Sequence, residues 1–405
     1  MKTFQITTTV GIIAAITLGL TGCVLNNPSS GAVISVTSSA TECTLSAVEA
    51  PAGTIQFEVL NTGEASTEFY ILANDGMRVV GEVENIGPGL SRNLLIQAPA
   101  GTYYTVCKPG GTGAGIGNAV FTVTESGAQV ELSADTQALV DIAATNYASY
   151  VRNEIDQLTT GTQEFAAAYV AGDFDTARAL YAPTRMHWER VETVAESFGD
   201  LDPKLDLREA DLEEGQEWTG WHAIEKDLWP QDAEPGFQPY DQAKRERLAG
   251  QLVTDTLTLQ SNVQDLSFDL PQLTNGAIGL LDEVATGKVT GEEEKWSHTD
   301  LWDFQANVDG AAVLYAGVRD IVVKKNPELA TQLDEEFALL QDLLDAQRRG
   351  DSFTYYNNLT SAQIKALADQ VGESFVEIQR LQLLMSGDAR ASDPSLAVVW
   401  GEFEQ

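Results

Sequence analysis

The sequence predicts a two-domain β + α protein, with an N-terminal β-sandwich followed by an all-α helical bundle. Short runs of alternating or β-branched residues, separated by Gly, Pro and Asn turns, fill the region from about 33 to 125. Beyond residue 127 the chain changes to long segments rich in Ala, Leu and Gln with apolar residues at helical spacing. Regularly spaced short strands are typical of a sandwich, and long helices joined by loops pack as a bundle.

The first 22 residues have the features of an export signal. A basic start precedes an apolar run over 10–20, which is too short to span a bilayer as a mature helix. The run ends in Leu20-Thr-Gly-Cys23, which resembles the bacterial lipoprotein signal. We therefore expect removal of 1–22, lipidation of Cys23 and a polar tether over 23–32. The alternative is an ordinary cleaved signal followed by a chance cysteine.

The β region has strand patterns at 55–60, 68–72, 93–97, 103–107 and 119–124. Its cysteines, Cys43 and Cys107, are an even pair, which in an oxidising exterior indicates a disulfide. The alternative is that both thiolates and a carboxylate such as Glu68 hold a soft metal. A blue-copper site needs two histidines. No histidine precedes His187, so this region cannot build such a site alone.

The helical region has long segments with helical spacing at 134–171, 173–197, 240–266, 271–285, 298–323, 327–349 and 361–384. Their ends carry ordinary helix signals, since Asp173 and Ser361 stand at expected N-caps and Gly350 follows another segment. Facing helices of such a bundle can hold a metal between them.

The charge balance excludes one large class of function. Lys and Arg total 24 against 60 Asp and Glu, a formal net charge of −36 at pH 7. Nucleic-acid binding depends on clustered cations that contact phosphates, so we expect no nucleic-acid partner. A strongly negative surface attracts cations, although excess acid also keeps an exported protein soluble.

The segment 218–229 carries the most informative pair of side chains. His222 and Glu225 are three residues apart among tryptophans, and the whole chain has 3 histidines. Residues at this spacing share one helical face, where an imidazole and a carboxylate can bind a transition metal together. The alternative is a satisfied histidine beside an aromatic core.

Further carboxylates lie close in sequence to this pair. Glu189 and Glu192 are also three residues apart, and like charges on one face repel unless a cation or protons neutralise them. The alternative is an exposed acidic face, offset by Arg185 and Arg190. Other acids follow, and the whole oxygen-rich set suits iron, zinc or manganese better than Cu(I); these acids are Asp206, Asp300 and Asp303.

Common catalytic motifs are absent from the sequence. It contains no His-Glu-x-x-His zinc-peptidase motif, no Gly-x-Ser-x-Gly elbow, no phosphate loop and no dinucleotide fingerprint. We therefore assign no catalytic residue. A His-x-x-Glu pair alone leaves a metallopeptidase as one alternative function. A module that binds an acidic polysaccharide through a bridging metal is another.

Several longer motifs resemble those of a known two-domain family. The helical region is similar to the imelysin-like "peptidase" domain at 186–192, 197–203, 217–225 and 297–301. The β region is similar to the cupredoxin-like domain that precedes it in EfeO-type proteins, at 68–70, 80–89 and 107–110. The resemblance implies a cupredoxin-like β-sandwich over 33–127 and an imelysin-type metal-binding domain over 128–405.

The resemblance also implies metal ligands. The family's His-x-x-Glu motif corresponds to His222 and Glu225, and neighbouring motifs add Glu189, Glu192 and Asp206. A second metal site proposed for the family corresponds to Cys43, Glu68 and Cys107. Copper is disfavoured there, because Gly111 stands where the family usually has a methionine.

The function that the resemblance implies is an extracytoplasmic, membrane-anchored component of an iron uptake system, and not an enzyme. Such a component captures iron, as Fe³⁺ or Fe²⁺, and delivers it to a membrane iron permease. A haem-containing Dyp-type peroxidase is the third member of the system. Zinc and copper are the alternative metals, and the expected location is the outer face of the cell membrane or the periplasm.

Overall fold

The computed structural model describes residues 32–74, 76, 79–110, 115–125, 133–195, 201–212 and 215–386. The expected signal over 1–22, the lipidation site Cys23 and the tether up to residue 31 lie outside the described residues. No helix within the described ranges combines the length and the apolar run that a membrane crossing requires.

The N-terminal region forms two packed sheets. Its strands are β1 (Ala32–Ser38), β2 (Cys43–Leu45), β3 (Glu49–Pro51), β4 (Gly53–Asn61), β5 (Thr67–Leu72), β6 (Val79–Ile86), β7 (Ser91–Ala98), β8 (Gly101–Pro109) and β9 (Ile116–Thr124). One sheet has the order β2-β1-β4-β7 and the other β3-β9-β8-β5-β6. The core between them includes Phe57, whose ring centroid lies 5.3 Å from that of Phe69 and 5.4 Å from that of Phe121. The predicted β-sandwich is therefore present.

A disulfide between Cys43 and Cys107 joins β2 of one sheet to β8 of the other, with the two Cα atoms 5.7 Å apart. Sulfurs bonded to each other are not thiolates, so they do not provide the soft ligands of the alternative metal site. Phe69 pairs with Cys107 across β5 and β8, and both side chains lie in the core.

Strand geometry also contradicts the alternative metal site of Cys43, Glu68 and Cys107. Successive residues of a strand point to opposite faces. Glu68 therefore faces away from Cys107, and its carboxylate accepts a hydrogen bond from Tyr70 instead. The structure does not bring Cys43, Glu68 and Cys107 together as ligands.

The helical region follows with ten α-helices in the described ranges: α1 (Ala134–Ala171), α2 (Phe174–Glu189), α3 (Glu192–Ala195), α4 (Asp202–Leu205), α5 (Gly220–Leu228), α6 (Gln242–Asn262), α7 (Leu270–Thr286), α8 (Asp300–Lys325), α9 (Pro327–Asp345) and α10 (Ser361–Ser386). A short hairpin of β10 (Arg348–Arg349) and β11 (Ser352–Phe353) follows α9. Side chains of Ser133, Asp173, Asp241 and Asn326 cap α1, α2, α6 and α9, as expected for residues of these types.

One predicted helix is interrupted. The segment 173–197 was expected to be continuous, but α2 ends at Glu189 and α3 begins at Glu192. The carbonyl of Glu189 accepts a hydrogen bond from the side chain of Asn307 on α8, at 2.8 Å. A Cβ atom on Gly310, one turn further along α8, would lie 2.4 Å from the carbonyl oxygen of Arg190. Close approach of α8 therefore coincides with the end of α2.

The sandwich is docked on the bundle through β6 and β7, which contact α7. Arg92 of β7 forms an ion pair with Asp282 of α7 at 3.0 Å. Asn275 donates a hydrogen bond to the carbonyl of Gln97 at 3.1 Å and accepts one from its amide at 3.2 Å. These contacts fix the β domain against α7, the helix that precedes Lys288.

We expect Cys107→Ser to lower the free energy of unfolding of the β domain by about 2–5 kcal/mol, because the disulfide closes a loop of 64 residues. Denaturant unfolding of oxidised and reduced protein measures this difference. Two thiols that react with a thiol reagent in the native, untreated protein would contradict the disulfide.

Candidate metal centre

Helix α5 positions His222 and Glu225. Its first residue, Gly220, has φ of +85°, and a Cβ atom there would lie 2.1 Å from the carbonyl oxygen of Leu205. Only glycine permits this conformation and this close approach of α5 to α4. Trp221 anchors the helix in the core, with its ring 4.8 Å from that of Phe165. His222 and Glu225 are buried as a result.

His222 contacts carboxylates through both ring nitrogens. Its Nδ1 lies 3.2 Å from Glu225 Oε2, as the three-residue spacing predicts. Its Nε2 lies 3.4 Å from Asp206 Oδ1 and 3.4 Å from Glu293 Oε1. The second oxygen of Glu225 accepts hydrogen bonds from the backbone amides of Trp296, at 2.8 Å, and Ser297, at 2.7 Å. The loop before α8 is therefore tied to α5 at the metal centre.

Two buried cations from distant parts of the chain lie among these carboxylates. Arg185 of α2 contacts Asp206, Glu189 at 2.5 Å and Glu294 at 2.6 Å. Its side chain is 0% exposed, so the alternative of an exposed acidic face offset by arginines is wrong at this position.

The second buried cation is Lys288, which follows α7. Its Nζ contacts Glu189 and lies 2.8 Å from Glu192 Oε2. Asn307 of α8 donates a further hydrogen bond to Glu192 at 3.1 Å. Glu189 and Glu192 thus converge on one cation although they belong to two helices and not to one continuous face.

The five predicted ligands lie together in one buried cluster. Three overlapping groups have potential ligand atoms within 4.8 Å of one another: Asp206, His222 and Glu293; His222, Glu225 and Glu294; and Glu189, Glu192 and Asp206. We call this set the His222 cluster.

Glu293 and Glu294 belong to the His222 cluster but were not predicted from the sequence. Their signal was the acidic run Glu292-Glu-Glu294, which ends three residues before the predicted motif at 297–301 and the acids Asp300 and Asp303. Asp300 and Asp303 are buried behind the cluster, and Asp300 accepts a hydrogen bond from the amide of Glu294 at 3.2 Å.

Burial sets the protonation of the His222 cluster. It raises the pKa of Glu189 well above its usual range, and repulsion from Glu192 adds to this effect. Burial also opposes ionisation of Glu293, but Lys288 and His222 outweigh it and hold its pKa well below its usual range. For His222, burial acts against a positive charge, yet its acidic neighbours outweigh it and raise the pKa well above its usual range. Lys288 and His222 thus stabilise the ionised form of Glu293.

The donor set is suited to a hard metal ion. Carboxylate oxygens with one imidazole nitrogen favour iron, zinc or manganese over Cu(I). His187, the histidine of α2, lies elsewhere and contacts Glu154 at 2.7 Å. It therefore does not supply the second histidine of a standard zinc-peptidase site.

Glu68 belongs to a separate acidic group on the β domain. Tyr70 donates hydrogen bonds to Glu68 at 2.8 Å and to Glu84 at 3.0 Å. Burial, and then repulsion from Glu84, raise the pKa of Glu68 to about 8. The Glu68 side chain is thus a neutral acid near neutral pH.

Comparison with known families gives the same division of the chain into a β part and a helical part. The imelysin model matches residues 143–380, and the cupredoxin-like domain model matches residues 12–115. Fold, buried cluster and family matches together define the class: a cupredoxin-like domain followed by an imelysin domain. The same protein, named iron uptake system component EfeO, is 36% identical to this chain over 362 residues in Shigella boydii serotype 4, Escherichia coli O157:H7 and Shigella flexneri.

These alignments cover 88% of this chain and 92% of each relative. The chain belongs to the EfeO family. The relatives' name describes a component of an iron uptake system.

We expect Gly220→Ala to destabilise the protein by at least about 2 kcal/mol, because it adds both strain at positive φ and a clash with the Leu205 carbonyl. Gly172→Ala is the matched control, since Gly172 has φ of +76° and no atom within 4 Å of the added Cβ. Denaturant unfolding compares the two variants. Equal losses would show that α5 does not depend on this close packing.

The pKa of Glu68 predicts a pH-dependent stability. The folded-state pKa of about 8 lies above the usual value of 4.5. The stabilising contribution of the protonated acid is therefore fully present below about pH 4.5 and lost as the pH rises through about 8.

We expect the free energy of unfolding of the unmodified protein to fall by at least about 1 kcal/mol relative to Glu68→Gln between pH 5 and pH 8. The variant cannot ionise, so its pH profile lacks this loss. Urea unfolding at both pH values measures the difference, and Glu58→Gln, an exposed site on β4, is the control. Parallel profiles for the unmodified protein and Glu68→Gln would contradict the prediction.

Proposed function

We propose that this protein is the iron-binding component of an iron uptake system and that it captures iron at the His222 cluster. The observation that carries the proposal is the convergence of His222, Glu225, Glu189, Glu192 and Asp206 in one buried cluster with overlapping ligand groups. The name of the relatives, iron uptake system component, supports iron as the cargo.

The spacing of the donor atoms fits a bound metal ion. Ligand atoms about 2.1 Å from one ion lie about 3.0–3.4 Å from each other in octahedral or tetrahedral geometry. The His222 nitrogens lie 3.2 Å from Glu225 and 3.4 Å from Asp206 and Glu293. Nε2 of His222 is buried without a hydrogen-bond partner among the described residues. Nε2 of His222, Asp206 and Glu293 therefore have the donor spacing of ligands that share one ion, and Glu225 contacts the other ring nitrogen, Nδ1.

The remaining parts of the proposal concern location and partners. Lipidation of Cys23 would hold the protein at the outer face of the cell membrane or in the periplasm. A net charge of −36 raises the local concentration of cations around the protein. The captured iron would then pass to a membrane iron permease, with a haem-containing Dyp-type peroxidase as the third member of the system.

The geometry does not favour the metallopeptidase alternative. A general base must be free to take a proton from a metal-bound water. One oxygen of Glu225 contacts His222, and the other accepts two backbone hydrogen bonds. Glu225 is therefore held as a structural or ligand carboxylate.

We expect His222→Ala to weaken binding of Fe(III), supplied as a soluble chelate, by at least about a hundredfold, because it removes the single imidazole shared by two ligand groups. Glu225→Ala and Glu293→Gln should weaken binding as well. Competition titration with Fe(III) and calorimetry with Zn(II) measure the affinities.

His187→Ala is the matched control for this titration, since His187 contacts Glu154 outside the His222 cluster. It should bind both metals like the unmodified protein. Unchanged stoichiometry and affinity in both His222→Ala and Glu225→Ala would rule out the proposed site.

A further inference from the structure

Arg185 occupies the centre of the His222 cluster without being a ligand. Each of the three ligand groups contains at least one carboxylate that Arg185 contacts: Asp206, Glu189 or Glu294. The guanidinium is completely buried, so water does not screen its charge.

A metal ion and this guanidinium compete for the same atom. Oδ1 of Asp206 contacts Nη1 of Arg185 and also lies 3.4 Å from Nε2 of His222. An ion held between His222 and Asp206 would take the oxygen that Arg185 now binds. The ion and the guanidinium would then contact the same carboxylate oxygen, and two positive charges so close together in a buried site repel strongly. Arg185 must therefore give up Oδ1 of Asp206 when the ion enters, and only its longer contact with Oδ2, at 3.3 Å, would be left.

Asp303 offers a new partner near Nε of Arg185, the nitrogen that also contacts Glu294. Asp303 lies on α8, its side chain is 1% exposed, and its Oδ1 is 3.8 Å from Nε of Arg185. Neither oxygen of Asp303 has a hydrogen-bond partner among the described residues. A charge-assisted hydrogen bond forms at about 2.8 Å, so a shift of about 1 Å would join the two groups.

We propose that Arg185 is the internal counter-ion of the cation-free protein and that metal binding moves its guanidinium from Asp206 and Glu189 toward Asp303. This inference rests on the proposed function, because it assumes that the His222 cluster binds the cargo. Arg185 and Asp303 then determine affinity without coordinating the metal. The Arg185–Asp206 ion pair opposes binding and favours release, and Asp303 stabilises the metal-bound arrangement.

A double-mutant cycle distinguishes movement of Arg185 toward Asp303 from a direct effect of the Asp303 charge on the metal. Zn²⁺ alone is the ligand, and calorimetry measures its affinity. Arg185→Gln removes the competing charge, so zinc should bind at least about tenfold tighter. Asp303→Asn removes the new partner of Arg185, so zinc should bind about tenfold more weakly. In the Arg185→Gln background, Asp303→Asn should have no further effect, because no guanidinium remains to be displaced.

A direct effect of the Asp303 charge on the metal would persist in the Arg185→Gln background and would overturn the proposal. Weaker zinc binding by a folded Arg185→Gln variant would overturn it too. Asp309→Asn is the control, since Asp309 lies on the same helix and pairs with Arg190 at 3.0 Å, outside the His222 cluster. Its zinc affinity should equal that of the unmodified protein.

If Arg185→Gln does not fold, Asp303→Asn still decides the question, because unchanged zinc affinity in that variant contradicts the proposal. A structure of the zinc-loaded protein gives a second readout, with Arg185 expected within about 3 Å of Asp303. Arg185 still bound to Asp206 in that structure would overturn the inference.

Loss of zinc binding in His222→Ala, with no change in zinc affinity in the Arg185 and Asp303 variants, would overturn this inference and leave the proposed function intact. Absence of metal binding by the unmodified protein would instead remove the proposed function.

Discussion

The burial of many carboxylates around one histidine is the constraint on which the helical domain depends. Each ionised carboxylate withdrawn from water must gain a compensating charge or several hydrogen bonds. The chain supplies these internally through Arg185, Lys288 and His222, together with the backbone amides that hold Glu225. In the proposed function, the same carboxylates would exchange an internal cation for a captured one.

This electrostatic requirement also explains irregular features of the backbone. The chain breaks between α2 and α3, so Glu189 and Glu192 reach Lys288 from two helices. Helix α5 begins at a glycine because its first turn presses against the Leu205 carbonyl. Both features bring carboxylates from separate segments within reach of one another.

The β domain has a different internal organisation. Its cysteines are bonded to each other across the two sheets, and strand alternation turns Glu68 away from them. Among the described residues, the groups with metal-ligand geometry all lie in the helical domain. The ion pair between Arg92 and Asp282 holds the β domain on α7, the helix that precedes Lys288. The described residues of the sandwich thus pack against the helical domain without contributing to the candidate ligand groups.

Local pattern alone determined a large part of this protein. Strand spacing gave the sandwich, helical spacing gave the bundle, and the three-residue separation of His222 and Glu225 gave their contact, since these features depend on residues close in sequence. The pairing of Cys43 and Cys107 was one of two alternatives that composition allowed. The spacing of Glu189 and Glu192 correctly indicated that their carboxylates lie close together, although the prediction of one continuous helix there was wrong.

Only the tertiary structure decided how the charges are compensated. Arg185 meets Asp206 and Glu294, and Lys288 meets Glu189, across separations of 21 to more than 100 residues. No local period relates such residues, and the same arginine is equally consistent with an exposed acidic face. The acidic run that contains Glu293 and Glu294 was visible in the sequence. Only its burial against α5 and α2 brings these carboxylates into contact with His222 and Arg185. The five predicted cluster residues share helices or family motifs, whereas their counter-ions depend on how those helices pack.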